Sequence, residues 1–200
     1  NGSNDACGIA STTIDVSSFD CTNVGANTVV LTVTDTNGNA STCSAIVTVE
    51  DNVAPVATCQ ALTVQLNAAG TATITAAQID NGSSDACGIV STTIDVSSFD
   101  CTNVGANTVT LTVTDNNGNV STCTSTVTVE DNVDPNAVCQ DITVQLSALG
   151  AATITAADIN NGSNDACGIA SLSLNNTTFD CSNVGANTVV LTVTDTNGNA

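Results

Sequence analysis

Apolar and polar positions alternate with a period of two along much of this chain, and the alternation is clearest between 55 and 134. In "LTVQL", Leu62, Val64 and Leu66 fall on one face. "TATITA" sets Ala72, Ile74 and Ala76 against threonines, and "IVSTTIDVS" gives a third strand candidate. In "TVTLTVTD", Val109, Leu111 and Val113 point one way and Thr108, Thr110, Thr112 and Thr114 the other. "CTSTVTVE" places Cys123, Ser125, Val127 and Val129 together. Such alternation, with threonine outward, predicts half-buried antiparallel strands. Turn-forming runs separate them at 67–70, 80–88, 103–107 and 115–119, and Asn117-Gly118 is a hairpin signal. No helical periodicity exceeds a turn, so the expected class is all-β.

The pattern then repeats with a period of 80 residues: Cys7, Cys87 and Cys167 share one slot, and Cys21, Cys101 and Cys181 the next. Cys43 is in register with Cys123, and Cys59 with Cys139. Between 1–54 and 81–134, nine of 54 positions differ. A period this long is the size of a small domain rather than a solenoid rung. The expected organisation is a partial repeat at 1–54, a complete one at 55–134 and a second partial one at 135–200, lying end to end. This register reads as a piece of a longer protein, with targeting and anchoring signals outside the segment.

Composition narrows the function. Nineteen acidic residues face no Lys, Arg or His, a net charge of −19. Nucleic-acid binding needs cations against phosphates, and anionic membrane surfaces repel such a chain. Without an imidazole base, a Schiff-base lysine or an arginine clamp, most catalytic chemistry is also missing, so an enzyme is not expected. The only aromatics, Phe19, Phe99 and Phe179, share one slot and read as core plugs.

"EDNVAPVATC" at 50–59 and "VTDNNGNVSTC" at 113–123, with Phe99, Val104 and Gly105 between, resemble the hyalin-repeat (HYR) module. The resemblance recurs once per period, departing at Gln60 and Gln140 and in the single prolines Pro55 and Pro135. Near-identical, lysine-free copies are most similar to the giant secreted surface adhesins of Bacteroidetes, including those of gliding cells. The resemblance implies immunoglobulin-like β-sandwich repeats and an extracellular, cell-surface stalk.

Ten cysteines in such a chain point to disulfides. Zinc is disfavoured, since no two cysteines are closer than 14 residues and His is absent. Four cysteines per repeat allow three pairings. In an immunoglobulin-like domain the first and last strands run parallel, which expects Cys59–Cys123 and leaves Cys87–Cys101. By repetition Cys7–Cys21 and Cys167–Cys181 follow, with partners of Cys43 and Cys139 outside the segment.

Candidate calcium ligands cluster in three places: Glu50, Asp51, Glu130, Asp131 and Asp134 in linkers, Asp80 and Asp85 with Asn81 in a loop, and Asp115, Asn117 and Asn119 in a hairpin. Hard oxygens without a competing cation suit Ca²⁺. The same residues also form turns unaided. Asn81, Asn119 and Asn176 head glycosylation-type triplets of low weight. Lacking lysine, the chain cannot form Lys–Asn isopeptide bonds. Two functions remain: a structural stalk or self-associating filament, and a multivalent module whose repeats each recognise a glycan or protein receptor. The mild, scattered repeat differences (Asn4 and Ser84, Thr36 and Asn116, Ile46 and Thr126) favour the stalk.

Overall fold

The computed structural model describes residues 2–200. The chain is mostly β. Its strands are β1 (Ile9–Ile14), β2 (Gly25–Asp35), β3 (Ala40–Val49), β4 (Leu62–Gln65), β5 (Thr71–Thr73), β6 (Ile89–Ile94), β7 (Ser98–Asp100), β8 (Gly105–Asp115), β9 (Val120–Glu130), β10 (Ala151–Thr153), β11 (Ile169–Leu174), β12 (Thr178–Asp180) and β13 (Leu191–Asp195). Two single-turn helices, α1 (Ala76–Ile79) and α2 (Ala156–Ile159), interrupt them.

The described chain divides into two compact units. One comprises Asn1–Thr58, Asp80–Thr93 and Leu111–Cys123; the other Cys59–Ile79, Ile94–Thr110 and Thr124–Ala200. These units do not follow the repeat boundaries, because the repeat 55–134 contributes to both. The reason is local in the first unit. Val56 bridges Ser84, and the Thr58 backbone N–H donates to Ser83 Oγ at 3.0 Å, so the loop at 80–88 lies against the linker.

In the first unit, β1, β2 and β3 form an antiparallel sheet in sequence order. A register shift between Ile9 and Ser11 marks a bulge. β4, β9, β8 and β6 form a four-stranded sheet in that order, with β4 parallel to β9 from Leu62↔Val127 to Gln65↔Glu130. β5 pairs with β7. Pairings β10–β12 and β11–β13 recur one period later.

Burial follows the alternation. Val109, Leu111, Val113, Val127 and Val129 are each 0% exposed, while the threonines between them reach solvent partly or fully. Phe99 is buried on β7, as the core-plug reading expected. In the second unit Ile154, Ile159, Leu191 and Val193 form a cluster that Leu172, Leu174 and Phe179 complete, drawing β10–β12 and β11–β13 onto one core.

One strand is shorter than expected. "TATITA" leaves the sheet after Thr73, and Ala76 starts α1. Gln78 Oε1 accepts from the Thr75 N–H at 2.8 Å and from its hydroxyl. Asp158 does the same for Thr155. This cap, a Thr followed three residues later by a long or acidic acceptor, closes the turn and lets the buried Ile79 and Ile159 face inward.

Candidate functional site

Two of the four cysteine slots are held by their own local hydrogen bonds. Cys101 begins a 3-10 turn, Cys101–Asn103, whose N-cap is Asp100. The Asp100 carboxylate accepts from Thr102 N at 2.8 Å, and Asn103 Oδ1 accepts from Asp100 N at 2.9 Å. Asp20 and Asp180 cap Cys21–Asn23 and Cys181–Asn183 in the same way. Hydrogen bonds from the following hydroxyl and backbone N–H hold the Asp20, Asp100 and Asp180 carboxyls below their usual pKa.

The other slot is an Asx turn. Asp85 Oδ1 accepts from Cys87 N at 2.7 Å, and Asn116 Nδ2 donates to Cys87 O at 2.7 Å. Asp165 and Thr196 hold Cys167 likewise, as Asp5 and Thr36 hold Cys7. The capped turn and the Asx turn are therefore rigid mounts for sulfur.

The bridges join successive repeats. Cys21 is bonded to Cys87 and Cys101 to Cys167, each across 66 residues with Cα atoms 5.1 Å apart. This corrects three expected pairings: Cys87–Cys101, Cys7–Cys21 and Cys167–Cys181. Cys7 and Cys181 are free and exposed. The physical reason is strand length. Cys167 precedes the six-residue β11 and Cys181 follows β12. At about 3.3 Å per residue, one strand of that length carries the chain some 20 Å, well beyond disulfide reach. Cys59 and Cys123 are also disulfide-bonded, whereas Cys43 and Cys139 are free and exposed.

Gly70 makes room for one bridge. Its φ is +71°, and a Cβ there would stand 2.7 Å from Cys101 Sγ and 3.0 Å from Ala166 Cβ. Gly150 occupies the same place beside Cys181 Sγ, where a Cβ would fall at 2.8 Å.

The structure sorts the candidate calcium ligands. Asp115, with 0% exposure, is consumed by its own hairpin. Its carboxylate accepts from Asn117 N and Asn119 N at 2.8 Å and from Asn119 Nδ2 at 2.7 Å. Burial pushes its pKa up, but these donors outweigh it and the net shift is downward; Asp195 repeats the arrangement. Asp80 accepts from the backbone and hydroxyl of Ser83. Glu130 accepts from Gln65 Nε2 at 2.6 Å, and Glu50 from Asn52 Nδ2 at 3.2 Å. Asn117 and Asp134 are exposed.

Two pairs come together instead. Asp51 meets Asp85 beside Cys87, and Asp131 meets Asp165 beside Cys167; in each group one ligand atom from every residue lies within 4.8 Å of the others. Asn119 Nδ2 donates to Asp51 O at 3.0 Å and Asn199 Nδ2 to Asp131 O at 3.1 Å, pinning each linker to the hairpin. Sequence reasoning missed Asp165, although adding one period to Asp85 points to it.

A groove in the second unit runs between 139–146 and 183–189 and is lined by Ile154, Ile159 and Phe179. Residues 142–145 there correspond to β4 one period earlier, which is paired with β9. Among the described residues no helix is long and apolar enough to cross a membrane. No family model matches the chain, and no curated protein is significantly similar to it.

Proposed function

We propose that this chain is a segment of an extracellular stalk, built from immunoglobulin-like sandwich repeats in line, that holds an adhesive surface away from a cell. The observation that carries this reading is the pair of bridges Cys21–Cys87 and Cys101–Cys167, each linking one repeat to the next. A bridge of this kind does little for a freely jointed array of binding modules. It does much for a strut, because tension crosses the joint through a covalent bond. With a period of 80 and a bridge span of 66, only 14 residues per repeat lie on the covalent load path. The remaining residues are shielded.

The bridges also fit an oxidising compartment outside the cytoplasm. By the chain-entropy argument, closing a loop of that length stabilises the folded chain by roughly 4 kcal/mol, comparable to the whole stability of a small domain. Cys59 paired with Cys123 would clamp the first and last strands of one repeat beside the parallel β4–β9 pair. The HYR resemblance and the near-identity of the copies support a spacer, and the surface-adhesin assignment, gliding cells included, rests on that resemblance.

Small-angle scattering of chains with two, three and four repeats tests the stalk. The maximum dimension is expected to rise in proportion to repeat number. Growth as the cube root of mass would mean a globular assembly and would end this reading.

A further inference from the structure

We propose that Asp131 with Asp165, and Asp51 with Asp85, each bind a divalent cation of the calcium class where one repeat meets the next. Asp131 is 6% exposed, and its Oδ2 is buried without a hydrogen-bond partner; Asp51 Oδ2 is buried and unpartnered too. The other oxygen of each carboxylate is already in use. Asp131 Oδ1 accepts from Val133 N and Asp51 Oδ1 from Val53 N, both at 3.1 Å. Asp165 and Asp85 each accept from the cysteine N–H two residues on. One oxygen of each linker aspartate therefore remains buried and unpartnered, and a carboxylate oxygen of the same residue lies within 4.8 Å of a second carboxylate and a sulfur.

A buried carboxylate oxygen without a donor is costly, and two carboxylates in one place repel. Other chains resolve this with a lysine or arginine. This one has none, nor any histidine. A cation from solution supplies the missing charge. The donor set selects its class. Cys167 and Cys87 are tied up in disulfides, so neither offers a thiolate, and the ligands that remain are oxygens. Oxygen ligands suit a hard ion such as Ca²⁺ and disfavour zinc. Two carboxylates leave most of the shell to water, which places affinity near the weak, extracellular end, a Kd of about 0.1–1 mM. The same geometry occurs at both joints, so the expected stoichiometry is two ions per chain. Each ion would tie the last residues of one repeat to the loop carrying the next repeat's bridge cysteine.

The test is calorimetric titration of the oxidised 200-residue chain with CaCl₂ at about 0.15 M salt, where diffuse attraction is screened. Saturable binding of two ions is expected. Asp131→Asn should leave one and the Asp51→Asn, Asp131→Asn double variant none. Asp134→Asn, exposed and outside both pairs, should keep two. Calcium should raise the Tm of the parent chain but not of the double variant, whose intact bridges and circular dichroism confirm folding. Equal heats in every variant would mean diffuse binding to the acidic surface and overturn the proposal. So would no saturable binding up to about 10 mM, or carbon-13 carboxyl spectra showing Asp131 protonated at neutral pH.

Discussion

The Cα atoms of Cys101 and Cys167 stand 5.1 Å apart although 66 residues of chain separate them. Cys101 sits on a capped turn after β7, and Cys167 on an Asx turn before β11. Each mount is complete without its partner. The free Cys7 and Cys181 occupy the same two kinds of mount.

This connectivity is directly measurable. Trypsin does not cut a chain without Lys or Arg, so cleavage at Asp and Glu is needed before mass spectrometry. Peptides joining Cys21 to Cys87 and Cys101 to Cys167 are expected, and one joining Cys59 to Cys123. A Cys87–Cys101 peptide in the unreduced digest would refute the arrangement.

Tension provides a second measurement. With 14 residues per repeat on the covalent path, an unfolding event in the oxidised chain releases at most about 50 Å at ~3.4 Å per residue. After reduction the full repeat pays out about 270 Å at the same reach, between five and six times more. Single-molecule pulling with and without reductant should show this ratio. Identical steps would place the bridges elsewhere.

Gly70→Ala should damage one bridge selectively. The new Cβ meets Cys101 Sγ at 2.7 Å, and the backbone already has a positive φ. Gly118→Ala is the comparison, since its φ is also positive but nothing lies within 4 Å of the added Cβ. Both variants carry the backbone strain, of order 1 kcal/mol. Only Gly70→Ala should also slow formation of Cys101–Cys167 on oxidative refolding, followed by thiol quantification. Equal bridge formation in both variants would show that Gly70 is not needed for packing around the sulfur.

Acid should remove the contribution of the hairpin carboxylates. The folded pKa of Asp115 and Asp195 is lowered, so their stabilisation is present above the unfolded value of about 4 and is lost as pH falls through the depressed folded values. Relief of repulsion among the acidic side chains acts the other way, so the reading is a difference. Asp115→Asn should be less stable than the parent at neutral pH, and the gap should narrow below about pH 4. A pH-independent gap would mean that the Asp115 charge contributes nothing.

The sequence by itself determined what depends on short-range order. Val109, Leu111 and Val113 alternate with threonines, and a strand with period two can bury only one of those sets. Asn117-Gly118 closes a hairpin because glycine accepts the positive φ there, +92°. The 80-residue register was legible for the same reason, since each copy repeats its own local signals. The end of β5 at Thr73 was written in the Thr75–Gln78 cap but masked by an alternation that continues through Ala76.

Only the tertiary structure decided which sulfurs and carboxylates meet. Four cysteines per repeat carry no label for their partners, and assigning Cys59 to Cys123 from strand direction left Cys87 to Cys101. Strands separate neighbours in sequence by their full length, while the turns at their ends bring Cys101 to Cys167. The carboxylates follow the same logic. Asp115 and Asp131 look alike as acidic turn residues. One is surrounded by the N–H groups of its own hairpin, and the other keeps a buried oxygen without a donor and is gathered with Asp165. That difference arises from the packing of linker against loop, which no local pattern encodes.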